Sequence, residues 1–268
     1  MPDAPTRRHI ALALATALLV PLAAACGAKD TAGTGTGADT QGSPPAAPAD
    51  LTVLAAASLT EVFKAVGAAY EDSHPGTKVT FSFAGSQALA AQVKQGAPAD
   101  VLVTADTKTM DGLRKETNPT AVIAKNRLVI ATAKGNPHRI NEVKDLVDAR
   151  LKVVLAAPEV PVGRYSKKVL DAQNLTVHPV SLEPNVRAVL SKVEWGEADA
   201  GLVYRTDVAA AKGKVTEVQI PDASNVVAQY PAATLKTTKN PGAATAFVSW
   251  LTTPPAQRIM LEAGFQSP

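Results

Sequence analysis

Residues 51–70 read LTVLAAASLTEVFKAVGAAY, and the change of pattern inside this stretch decides the fold class. Leu51 to Ala56 is a short, unbroken apolar run, as in a strand buried on both faces. From Leu59 the period becomes helical: Leu59, Val62, Phe63, Val66 and Tyr70 fall on one stripe. Ser58 stands between the two patterns with Glu61 three residues on, the spacing of a capping box. A strand that runs straight into a helix is half of a βα unit, and a chain built of such units forms parallel sheets with helices on their faces.

The same cadence recurs downstream. Val79, Phe81 and Phe83 alternate as a strand, and Ser86 opens a helix with Leu89 and Val93 on one face. Val101–Val103, Leu128–Ala131, Leu151–Ala156, Gly201–Tyr204, Val215–Ile220 and Val226–Ala233 read as further strands. Helical patterns are expected at Tyr165–Leu170, Val186–Val193, Phe247–Leu251 and Ala256–Leu261. The fold class is therefore α/β, in two lobes, and no internal repeat interrupts it. In such sheets ligands sit beyond the carboxyl ends of the strands, where loops enter helix N-termini.

The start of the chain has a different character. Arg7 and Arg8 precede a short apolar core, Ile10 to Val20, too short to span a membrane as a mature helix. Small residues then lead to Cys26. Residues 1–26 thus resemble a bacterial lipoprotein signal peptide whose Cys26 becomes the lipidated N-terminus, with Ala23 where leucine is usual and Leu22 one position further back. An ordinary secretory signal is the alternative. Cys26 is the chain's only cysteine, so no intramolecular disulfide can form. Residues 27–50, rich in Gly, Thr, Ala and Pro, bury too little apolar surface to offset ordering and are expected to form a flexible tether. The expected location is extracytoplasmic, anchored to the cell membrane.

The formal net charge of +3 is too close to balance to argue for nucleic acid as a partner. Enzyme chemistry finds little support. His74, His138 and His178 form neither a metal-ligand spacing nor a triad, and no serine sits in a G-x-S-x-G elbow. Without a Walker A loop the chain is not an ATPase.

Four stretches at the strand-to-helix junctions carry the informative chemistry: AAASLT at 55–60, FAGS at 83–86, APEVPVGRY at 157–165, and EPNVR at 183–187 taken together with GLVY at 201–204. Each except the GLVY strand end lies at or just before a predicted helix start. Ser58 and Ser86 taken singly read as helix caps, and Tyr204 as a core aromatic with a satisfied hydroxyl. Arg164, Arg187 and Arg205 flank the motifs and are expected in structural ion pairs or long-range steering rather than on a ligand.

In this order, with GAPADV at 96–101 between them, these segments closely resemble the periplasmic molybdate-binding proteins of molybdate ABC transporters, from Leu51 to Phe265. The resemblance implies a two-lobed type II periplasmic-binding-protein fold, each lobe a mostly parallel sheet flanked by helices, joined by a two-strand hinge. Residues 51–125 plus 227–268 would form the first lobe and 126–226 the second. It further implies an oxyanion held by the hydroxyls of Ser58, Ser86 and Tyr204 and by the main chain at Val162 and Val186. Gly85, where serine is frequent, and Val162, where alanine is frequent, depart from the family's commonest pattern. The implied ligand is molybdate or tungstate, with no cofactor, no other metal, and no enzymatic activity. The implied partner is the membrane permease of an ABC importer, served by a monomer. Sulfate or another tetrahedral oxyanion is the nearest alternative, and a lipoprotein without a transport role is another. Phosphate is disfavoured, although Glu159 and Glu183 lie near the motifs and its monoprotonated form seeks a carboxylate acceptor.

Overall fold

The computed structural model describes residues 48–268, so the leader, Cys26 and most of the tether lie outside the described residues. β1 (Asp50–Ala56) is the first element, and five of its seven residues are buried because both of its faces are covered. Leu51, Val53 and Ala55 belong to the main core with Phe63, Val66 and Tyr70 of α1 (Thr60–Ser73). Leu54 points the other way, into a second cluster with Leu89 of α2 (Ser86–Lys94), Leu102 of β3 (Val101–Val103) and Met110 of the short α3 (Thr107–Asp111). This is the period-two alternation of a central strand. β2 (Lys78–Ala84) and β3 flank β1, both parallel to it, with Val53 opposite Phe81 on one side and Val101 on the other. Helices connect these strands, as parallel neighbours require.

β4 (Ala121–Ala133) joins two halves of the sheet. Its first part pairs antiparallel with β9 (Val227–Thr234), from Ala121 opposite Ala232 to Arg127 opposite Val227. Its second part changes partners and pairs antiparallel with β7 (Ala200–Tyr204) and β8 (Val215–Gln219). Beyond β7 come β5 (Val153–Ala156) and β6 (Ser181–Glu183), parallel to one another. The strand order is β2-β1-β3-β9-β4-β7-β5-β6, with β8 on β4 as well. Parallel pairing thus occupies the triplets β2-β1-β3 and β6-β5-β7, while the strands passing between the halves run antiparallel to their neighbours.

Two passages of chain meet where β4 changes partners. Asn225, just before β9, donates from Nδ2 to the Leu128 carbonyl at 2.8 Å and accepts from the Leu128 amide at 3.3 Å. The same Oδ1 accepts the Val226 amide at 2.8 Å, so one side-chain amide substitutes for a ladder position. Three helices of the second half, α4 (Pro161–Ala172), α5 (Val186–Glu194) and α6 (Arg205–Ala210), begin beside the strand ends. α7 (Pro241–Trp250) and α8 (Pro254–Glu262) close the chain, each opened by proline at its first turn, where the missing amide costs nothing. No described helix is long and apolar enough to cross a membrane.

Three expectations need correction. The strand expected at Leu128–Ala131 is much longer, beginning at Ala121, because the polar Lys125, Asn126 and Arg127 lie inside it. Ser58 caps no helix: it sits in a 3-10 turn, Ala57–Leu59, and α1 has no side-chain cap. Ser86 is likewise no cap; Gly85 holds that position in α2.

Candidate functional site

The carboxyl ends of β1, β2, β5 and β6 each lead into the N-terminus of a helical segment, and these four starts converge. β1 ends at the turn holding Ser58, and β2 passes through Gly85 to Ser86. β5 leads to Val160 and Pro161, so Val162 lies in the first turn of α4. β6 leads to Asn185, whose Oδ1 accepts the Ala188 amide at 3.0 Å and caps α5 behind Val186. First-turn amides have no acceptor within their own helix, and the helix dipole places positive potential there. Tyr204 arrives at the end of β7. Ser58, Ser86, Val162, Val186 and Tyr204 all border one cavity, together with Gly85 and Asn185. Its volume is about 10 Å³, a small space where the four helix starts meet.

Three hydroxyls border this cavity, those of Ser58, Ser86 and Tyr204. The Ser86 Oγ accepts the Ala105 amide at 3.0 Å, which leaves its own proton free. The Ser58 Oγ lies 2.9 Å from the Tyr230 Oη. The Tyr204 Oη is buried and has no hydrogen-bond partner among the described residues. Burial also pushes the Tyr204 phenol well above its ordinary pKa, reinforced by the neighbouring Tyr230, so it stays protonated and able to donate. Val162 and Val186 are buried and lie in the first turns of α4 and α5, where main-chain amides have no acceptor within their own helix.

No carboxylate or imidazole is among the described cavity-lining residues. Glu183 turns away to Lys192 Nζ at 2.9 Å and Ser181 Oγ at 2.7 Å, and Glu159 is exposed. Asp207 is a buried acid behind Tyr204. Its Oδ2 accepts the Tyr204 amide at 3.0 Å, and burial pushes its carboxyl up to about 7 against the pull of Arg187. The flanking arginines are paired elsewhere: Arg164 with Asp106, Arg187 between Glu61 and Asp207, and Arg205 with Glu217. A cavity walled by neutral donors suits a compact species that only accepts hydrogen bonds.

The segments holding Gly85 and Pro184 approach closely across the junction of the halves. Gln87 Nε2 donates to the Pro184 carbonyl at 2.8 Å. A Cβ at Gly85 would lie 2.5 Å from that same carbonyl oxygen, so glycine permits the close approach. Tyr230, Asn126, Gln87 and Asp106 were not among the residues singled out from the sequence. Only Asp106, ahead of α3 with its Oδ1 on the Thr109 amide, carries a local signal, that of an N-cap.

Known proteins place this architecture. The chain is 41% identical to the molybdate-binding protein ModA of Mycobacterium tuberculosis over 259 residues, covering 95% of this chain and 97% of that protein. It is 34% identical to the molybdate-binding protein ModA of Escherichia coli over 231 residues, covering 80% and 88% of the two chains. The periplasmic molybdate-binding protein of Azotobacter vinelandii shares the fold, with a TM-score of 0.69 at 24% identity over 81% of this chain and 99% of that one. The family model for bacterial extracellular solute-binding proteins matches residues 51–266. With a two-lobed α/β fold and a donor-lined cavity at the strand ends, the chain belongs to the bacterial extracellular solute-binding protein family.

Proposed function

We propose that this protein captures molybdate, and tungstate of like shape and charge, outside the cytoplasm and delivers it to the permease of an ABC importer. The observation that carries the reading is the Tyr204 hydroxyl, buried without a partner against a cavity with no acidic lining residue. A buried donor left unpaired costs about 1–3 kcal/mol, and a fully deprotonated oxyanion supplies the missing acceptor. The same chemistry disfavours monoprotonated phosphate, whose hydroxyl would find no carboxylate here. Ser58, Ser86 and Tyr204 would donate through hydroxyls, and Val162 and Val186 through amides. Each bond to a charged acceptor contributes roughly 1.5–3 kcal/mol. About half a dozen support micromolar to nanomolar binding once closure and desolvation are subtracted.

In this reading residues 51–125 plus 227–268 and residues 126–226 move as two bodies about the β4 and Asn225 passages. An anion touching both bodies favours the closed form, which the permease then recognises. Cys26 would carry lipid, residues 27–50 would tether the monomeric domain to the membrane, and no cofactor or catalytic step is involved.

A thermal-shift panel of molybdate, tungstate, sulfate and phosphate on the soluble domain tests the substrate class. Molybdate and tungstate are expected to raise the melting temperature, with sulfate and phosphate ineffective at equal concentration. Stabilisation by sulfate alone would move the assignment to a different oxyanion, and no shift with any of them would favour a lipoprotein without a transport role.

A further inference from the structure

Beneath Ser58 lies a buried polar chain that the cavity lining does not include. Asn126 of β4 donates from Nδ2 to the Thr206 Oγ1 at 2.8 Å and to the Tyr230 Oη at 3.4 Å, and the Tyr230 Oη meets the Ser58 Oγ at 2.9 Å. Asn126 and Tyr230 are about 1% and 0% exposed, so water does not compete for these bonds.

Hydrogen-bond inventory fixes the direction of the chain. The Asn126 Oδ1 accepts the Arg127 amide at 2.9 Å. Reversing the side-chain amide would set two donors against each other there, so the nitrogen must face Thr206 and Tyr230. The Tyr230 Oη therefore accepts a hydrogen bond from Asn126, and its own single proton has Ser58 as its described acceptor. Ser58 then accepts from Tyr230, and its own proton is left for the cavity it borders. Tyr230 is held in place by edge-on packing against Tyr204 and Phe265, with ring centroids 5.9 Å and 5.4 Å away. Burial drives its phenol far above the ordinary range, so it remains a neutral donor.

We infer that Tyr230 and Asn126 are positioning residues that fix the Ser58 hydroxyl as a donor toward the ligand. The inference rests on the oxyanion reading of the cavity and deepens it. A serine rotor left to itself can aim its proton at several acceptors; this chain removes that choice before the anion arrives.

A double-mutant cycle reads the coupling. Calorimetric titration of molybdate into wild type, Tyr230→Phe, Ser58→Ala and the double variant is expected to show about a fivefold loss for Tyr230→Phe when Ser58 is present, on the order of one neutral hydrogen bond. With Ser58→Ala in place the same change should cost less than about twofold. Equal losses in both backgrounds, or no loss in either, would overturn the inference. Asn126→Asp provides a second arm: an acceptor at that position draws the Tyr230 proton away from Ser58, and molybdate affinity should fall further than in Tyr230→Phe. Wild-type affinity in Asn126→Asp would also overturn it. Failure of wild type to bind molybdate would instead count against the substrate assignment, and the cycle then runs with whichever oxyanion raises the melting temperature.

Discussion

Arg164 of α4 reaches out of its own half of the sheet to Asp106 at the start of α3, with Nε 3.0 Å from Oδ2, and donates to the Thr109 Oγ1 at 2.7 Å. The pair is largely buried, with 17% and 4% of the two side chains exposed. Asp106 follows β3 in the first half and Arg164 follows β5 in the second, so their contact exists only while the halves are together. Removing one partner would leave the other charge buried and uncompensated, and only while the halves are together, so the loss falls on the closed form. Arg164→Met should therefore weaken molybdate binding about tenfold or more, chiefly through faster release, in stopped-flow or calorimetric titration. Its unfolding free energy without ligand should change much less.

Tyr204→Phe should separate binding from stability in sign. The hydroxyl has no partner in the unliganded protein, so its removal relieves a buried unsatisfied group. Urea unfolding of the free variant should show unchanged stability or a gain of about 1 kcal/mol. The same variant should bind molybdate about 10- to 100-fold more weakly, as expected for loss of one bond to a charged acceptor. A parallel loss of stability and affinity would mean that the hydroxyl serves the fold.

The junctions were legible because a change of hydrophobic period marks them. LTVLAAASLTEVF passes from strand to helix within a few residues, and the proline before Val162 and the asparagine before Val186 announce helix starts in their own local chemistry. What stayed hidden depends on partners far along the chain. The polar run Lys125-Asn126-Arg127 hid the first half of β4, since a buried asparagine is tolerable only with its bonds made, and those bonds go to Thr206 and Tyr230, 80 and 104 positions on. Ser58 and Glu61 have capping-box spacing, yet the serine oxygen pairs with Tyr230 and caps no helix. Nothing in VVAQYPAAT distinguishes a phenol that touches a site residue from one that merely fills the core.

Asp207 predicts a pH dependence of stability whose sign runs opposite to that of a salt-bridged acid. Burial lifts its carboxyl from the ordinary 3.8 to about 7, with Arg187 and the Tyr204 amide opposing the shift. Between those values the folded protein binds more protons than the unfolded chain, so unfolding free energy falls as pH rises, by at most about 1.4 kcal/mol per unit. The contribution is fully present below the unfolded value and is lost as pH passes through about 7. Urea melts of wild type and Asp207→Asn from pH 5 to pH 8 should show wild type losing stability relative to the variant up to about pH 7 and running parallel above it. Parallel curves throughout would show that Asp207 does not carry the effect.

Gly85→Ala should act on closure rather than on folding. The added Cβ would meet the Pro184 carbonyl oxygen at 2.5 Å and the Gln87 side-chain amide at 2.6 Å. Gln87 can swing aside, although doing so breaks its own bond to Pro184. The carbonyl belongs to the backbone that leads into α5 and cannot yield without moving Asn185 and Val186 away from the cavity. Gly85 has an ordinary φ of −59°, so alanine meets no backbone strain in the separated halves. The clash therefore falls on the closed form, at about 1–3 kcal/mol for an overpacked contact. Molybdate affinity should drop about 5- to 100-fold, while the unliganded variant melts within a degree or two of wild type. A variant that binds normally would show that the Pro184 segment yields at low cost, and Gln87 alone would then account for the seal.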